Sequence, residues 1–211
     1  MSGHEKRKQQ KMGHIIKSTI ELCNRYGTQK VTIDEIAEHA NVSKVTIYKY
    51  FNSKEDLITT VINNIYSDIT KRTAELIDDE SDFLEKLNII MQSKIKSLEL
   101  FNGDFLKDLF LHPKAESFHS FNTSIKKLMF RFYDEGKNQG YIPTTIGNEA
   151  LYTYSEIFNA GLQNLITRNS SLISNKDMMN NLVHLYFNGL IQSEKWWPIS
   201  VMLYKLIFYM V

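Results

Sequence analysis

Residues 31–57 read VTIDEIAEHANVSKVTIYKYFNSKEDL, and the order of polar and apolar groups in this stretch decides the fold. Thr32 is placed to cap a first short helix. Its hydroxyl accepts a backbone N–H left unpaired in the first turn, and Glu35, three residues on, reaches back to the cap. Ile33, Ile36, Ala37 and Ala40 then fall on one face at helical spacing. Asn41 tolerates the left-handed backbone that a sharp helix stop needs. Val42 is a small apolar plug, and Ser43 caps a second helix over residues 44–50. That helix buries Ile47, with Phe51 just past its end, and turns Lys44, Thr46, Tyr48 and Lys49 outward. Ser53 caps a third helix, where Glu55 and Asp56 suit the positive N-terminus.

Two short helices joined by a tight turn, the second rich in donors, make a helix-turn-helix. The major groove of DNA is about one helix wide and admits the second of them. A helical hairpin with a merely solvated face has the same spacing, so spacing alone leaves both readings open. The residues resemble the DNA-binding domain of the TetR (tetracycline-repressor-like) family. There a Thr opens the second helix, I-A-x-x-A precedes the turn and V-S-K follows it, then T-I-Y-x-Y-F and S-K-E-x-L. Here these stand as Thr32, Ile36 to Ala40, Val42-Ser43-Lys44, Thr46 to Phe51 and Ser53 to Leu57. Two positions depart from the pattern: Asn41 sits where Gly is usual, and Val45 where Gly or Ala is usual. Val45 is bulkier and alters how closely the helix approaches the bases. Outward register and the family positions together give the expected DNA-binding set. It comprises Ser43, Lys44, Val45, Thr46, Tyr48, Lys49 and Tyr50, with Thr32 and Lys54 holding phosphates from helix ends.

Composition sets looser bounds. At 211 residues, 43% hydrophobic and 23% charged, the chain is an ordinary globular protein of one large or two small domains. The single cysteine, Cys23, excludes an intramolecular disulfide and suits a reducing cytoplasm. The polar, basic opening is not that of a signal peptide. Net charge is only +1. Residues 1–57 nevertheless hold ten Lys/Arg against seven Asp/Glu, a net of +3 that leaves −2 for the rest. The excess lies at the end expected to meet phosphates. The cluster Lys6, Arg7, Lys8 and Lys11 reads either as a flexible basic arm beside DNA or as a solvated tail.

Taken in order, apolar periodicity predicts a helix from about Lys8 to Tyr26 and a long one from Ser53 toward Ile77. Others are expected from Leu84 to Leu98, through Phe105 to Phe110, over about 114–138, about 147–167 and about 175–192. No alternating strand pattern occurs. The expected fold is therefore all-α: a three-helix helix-turn-helix head over 1–57, with the basic arm at 1–11, and a helical body over 58–193. A tail, 194–211, is apolar apart from a few residues.

In the body, Phe101, Phe105, Phe110, Phe118 and Phe121, together with Met129, Phe132, Tyr133, Tyr154 and Phe158, are candidates to line an effector pocket. Taken singly, aromatic residues at helical spacing are more often plain core. The resemblance implies an effector-binding body. It also implies a homodimer built on the last two helices, with Leu151, Tyr154, Phe158, Gly161 and Leu165 on one and Leu182, Leu185, Tyr186 and Gly189 on the other. The six histidines have no metal-ligand spacing, and no nucleophile elbow, phosphate loop or carboxylate pair is visible. No cofactor and no enzymatic activity are expected. The tail, Trp196-Trp197-Pro198 then Ile199 to Val211, is shorter as a helix than the roughly 30 Å hydrocarbon core. It is read as self-packing in preference to insertion at a membrane surface.

The expected function is thus a cytoplasmic, dimeric regulator of a palindromic double-stranded operator, a repressor released by a small, largely apolar effector. Two alternatives differ in kind. One is a DNA-binding regulator without an effector, controlled through its tail. The other is a helical binding protein or enzyme with a vestigial head.

Overall fold

The computed structural model describes residues 3–100, 105, 108–109, 116–168 and 175–188. Among these the helices are α1 (Gly3–Tyr26), α2 (Ile33–His39), α3 (Lys44–Tyr50), α4 (Lys54–Asp78), α5 (Phe83–Leu100), α6 (Glu116–Asn138), α7 (Asn148–Arg168) and α8 (Lys176–Asn188). Among the described residues there is no strand, and the fold is all-α. Helix α1 begins five residues before the expected Lys8. The Lys, Arg, Gln and Glu of this segment are good helix formers and extend the helix without needing an apolar face. The tail from 194 lies outside the described residues. No described helix is long and apolar enough to cross a membrane.

The chain packs as two compact units. The first comprises residues 1–72 and 96–122; the second comprises 73–95 and 123–211. The expected boundary at residue 57 falls within α4, and the first unit keeps that helix as far as Arg72.

In the first unit, Ile15, Cys23, Ile36, Ile47, Leu57 and Val61 form a core. Phe105 and Leu109 are fully buried in the same cluster. Two bonds tie this later segment to the head. The Thr28 hydroxyl donates to the Asp108 carboxylate, and the Tyr66 hydroxyl donates to the backbone carbonyl of Leu109. Phe118 and Phe121 pack around the Tyr66 ring, with the Phe121 centroid stacked 4.5 Å away.

The second unit is centred on Ile77, Phe83, Leu87, Phe132, Tyr133 and Leu151. The side chain of Asp82 caps α5 by accepting from Leu84 N–H at 2.8 Å. Lys86 is buried, and its Nζ donates to the Ile77 carbonyl at 3.0 Å and to both Glu135 carboxylate oxygens at 2.9 and 3.0 Å. Gly136 lets α6 come close to α5: a Cβ there would lie 2.6 Å from the Phe83 ring and 2.9 Å from Ile142 Cδ1. Ser155 joins two buried phenols, with its hydroxyl 2.9 Å from that of Tyr133 and in hydrogen bond with that of Tyr186. Burial pushes Tyr133 up to about 12 and Tyr186 higher still.

Candidate nucleic-acid interface

The head is assembled by the caps that its sequence supplies. The Thr32 hydroxyl accepts from Glu35 N–H at 3.3 Å, while the Glu35 carboxylate takes both the Thr32 N–H and its hydroxyl at 2.8 Å. The backbone bond and then the hydroxyl hold the Glu35 carboxyl below its ordinary pKa. At the far end of α2, Asn41 adopts φ 52°, and Val42 N–H reaches back to the Ala37 carbonyl at 2.9 Å. The chain thereby reverses in a turn short enough to seat α3 on α2. Ser43 caps α3 by accepting from Thr46 N–H at 3.1 Å, and Ser53 accepts from Asp56 N–H at 3.0 Å at the start of α4.

With Ile47 and Phe51 buried beneath it, α3 turns one face to solvent. Lys44, Val45, Tyr48 and Lys49 lie on that face; Val45 is 77% exposed and Tyr48 52%. Thr46 is half-buried and its hydroxyl pairs with that of Ser43 at 2.9 Å. Tyr50 is turned partly inward and packs on the head core.

A shallow cleft of about 430 Å³ beside α3 brings together Thr32, Lys44, Tyr48 and Lys54, with Gln29 and Asp34 also on its wall. Two ammonium groups and a phenol hydroxyl around one concavity suit the oxygens of a phosphate. Lys54 Nζ is held there by the Gln29 carbonyl at 3.2 Å. Asp34, absent from the expected set, forms an ion pair with Lys44 through its carboxylate. Its position in the first turn of α2 explains it equally well by the helix dipole, and nothing in its spacing points to Lys44.

Residues 15–61 match the family of bacterial regulatory proteins, tetR family. The match covers the helix-turn-helix head of this chain. That head is similar to the DNA-binding helix-turn-helix domain of the family. Over 99 residues the chain is 29% identical to the fatty acid metabolism regulator protein of Bacillus subtilis (strain 168), a match spanning 47% of this chain and 50% of that protein. Two solved structures share the fold. Reduced E. coli NemR superposes with a TM-score of 0.68 at 14% identity, covering 87% of this chain and 98% of that one. The Bacillus subtilis FadR complex with stearoyl-CoA gives 0.64 at 18%, covering 84% and 98%.

In the body, the described aromatic candidates divide between the units. Phe105, Phe118 and Phe121 belong to the first; Met129, Phe132, Tyr133, Tyr154 and Phe158 belong to the second. Phe101 and Phe110 lie outside the described residues. Phe132 and Tyr133 are fully buried, while Phe158 and Tyr154 both stack on Tyr186. On the expected dimer helices, Leu151 and Tyr186 are buried within their own unit. Leu165 and Leu185 are exposed, at 46% and 65%, and Leu182 is half-buried. Ile157, absent from the expected set, is 67% exposed on α7. Gly161 is exposed, with open space where a Cβ would stand. Gly189 lies outside the described residues. No group of three His, Cys, Asp or Glu among the described residues is arranged to hold a metal ion.

Proposed function

We propose that this chain is a dimeric, ligand-responsive repressor that binds a palindromic operator and leaves it when a small, largely apolar effector binds the body. The observation that carries the DNA half of this reading is the solvent-facing row Lys44, Val45, Tyr48 and Lys49 on a short, doubly capped helix. Phosphate contacts from Lys44, Tyr48, Lys54 and the start of α2 would fix the head on the duplex, leaving the face of α3 for base edges. The dimer is supported by the exposed apolar side chains of α7 and α8, which a second copy would cover. The effector is supported by the relatives: one is a fatty acid metabolism regulator, and another was solved with stearoyl-CoA. Release follows as a population shift. A ligand that prefers the form in which the recognition helices no longer match half-sites one turn apart draws the protein off DNA.

Footprinting of the full chain on the DNA upstream of its own gene tests the reading. The expected result is a protected palindrome whose protection fades on addition of a long-chain acyl thioester such as stearoyl-CoA or of another apolar ligand from a panel. Protection that no panel member relieves would remove the effector, and absence of protection on any duplex would remove the regulator.

A further inference from the structure

Val45 stands at the second position of α3 with 77% of its surface exposed. Nothing in the fold accounts for it. It covers no core residue, and a β-branched side chain on an exposed helical position is a poorer helix former than Ala. Its neighbours on the same face are Lys44, Tyr48 and Lys49, each of which ends in a hydrogen-bonding group. A valine between them offers only methyl groups. Recognition helices meet base edges with their N-terminal residues, so position 45 faces the floor of the groove rather than its phosphate rim. The apolar group that unmodified DNA displays in the major groove is the C5-methyl of thymine; adenine, guanine and cytosine present donors and acceptors.

We propose that Val45 reads thymine: its side-chain methyl groups meet the C5-methyl of one thymine in each bound half-site and set the base preference at that position. This rests on the DNA-binding reading above. Against cytosine, adenine or guanine at that position, the valine would cover hydrogen-bonding groups and give nothing back, so the same contact that selects thymine also rejects the other bases.

The test begins with a randomised duplex library enriched on the full-length wild-type chain. Each thymine of the selected site is then replaced singly by deoxyuridine, which removes the methyl group alone, and affinity is read by fluorescence anisotropy. One position per half-site is expected to weaken by roughly three- to fivefold, the worth of one buried methyl. The penalty should vanish in Val45→Ala, which binds the thymine and uracil duplexes alike. Val45→Ala should melt no lower than wild type, because Ala is the better helix former, so loss of fold does not cloud the comparison. Insensitivity of the wild type to every uracil, or a uracil penalty that persists in Val45→Ala, overturns the inference while leaving DNA binding intact. If the wild type enriches no duplex, the DNA-binding reading falls and this inference falls with it.

Discussion

Lys86 places an ammonium group where only 3% of its side chain meets solvent, and it is held there by the Glu135 carboxylate and the Ile77 carbonyl. Removing one partner of such a pair leaves a charge without compensation, which is costlier than removing both. Glu135→Gln preserves shape but not charge, and is expected to lower unfolding free energy by about 3 kcal/mol. A urea titration reads this as a lower midpoint at unchanged slope. Lys86→Met combined with Glu135→Leu should regain much of the loss, and a single variant that melts with wild type would refute the role of the pair. Cys23 gives a second prediction at this scale. Burial pushes its thiol from 9.0 up to about 11; Lys54 draws it down and Asp108 raises it further. The folded chain therefore holds this proton more tightly than the unfolded chain. The corresponding stability is whole below about pH 9 and declines as pH rises from about 9 to about 11. Because the thiolate is the nucleophile, native Cys23 should resist disulfide reagents near neutral pH and react once urea unfolds the chain. Rapid labelling of the native protein would contradict this.

At the scale of elements, α2 and α3 depend on residues whose roles are local, and those roles were legible. Thr32, Ser43 and Ser53 cap helices within three residues of themselves, and Asn41 takes a backbone conformation that its own side chain tolerates. What spacing does not carry is which distant partner a face will meet. Periodicity marks Phe118, Phe121 and Phe132 as inward, but not that the first two surround Tyr66 while Phe132 stacks on Phe83. Lys86, Gly136 and the Asp34–Lys44 pair were illegible for the same reason, since each is defined by a neighbour on another helix. That last pair makes a prediction about α3. Under the proposed function, Asp34 competes with DNA for Lys44 and adds a like charge beside the phosphates. Asp34→Asn is expected to tighten binding to all duplexes. It should also steepen the salt dependence of log K by roughly 0.9, one further phosphate contact. In a Lys44→Ala background the steepening should disappear. An Asp34→Asn protein with the wild-type salt slope would show that Lys44 is not held back from the backbone.

For the whole molecule, the question is what covers the apolar edge of α7 and α8. Ile157 and Leu185 are exposed by about two thirds, 67% and 65%, and Leu165 by 46%. Monomeric proteins scatter single apolar side chains over their surfaces, but Ile157 and Leu165, eight residues apart, share one face of α7, an apolar stripe that association would bury. Gly161 on the same helix has open space where a Cβ would stand, so nothing within its own chain requires a glycine there. A glycine in a helix interior costs about 1 kcal/mol relative to alanine, which argues for close approach by another helix. We expect the wild type to sediment as a dimer. Each large apolar side chain buried across a two-fold axis contributes about 1.5–3 kcal/mol and appears once from each subunit. Ile157→Glu with Leu185→Glu should therefore weaken association by several orders of magnitude and give a monomer at micromolar concentration. Its affinity for a palindrome should fall toward that for a single half-site, with the helical content unchanged. Gly161→Ala should raise the thermal stability of that monomeric variant through helix propensity alone, whereas Gly161→Leu in the wild-type background should force the paired helices apart and favour monomer. A double-glutamate variant that remains dimeric would exclude this edge of α7 and α8 as the interface and require the second copy to dock elsewhere.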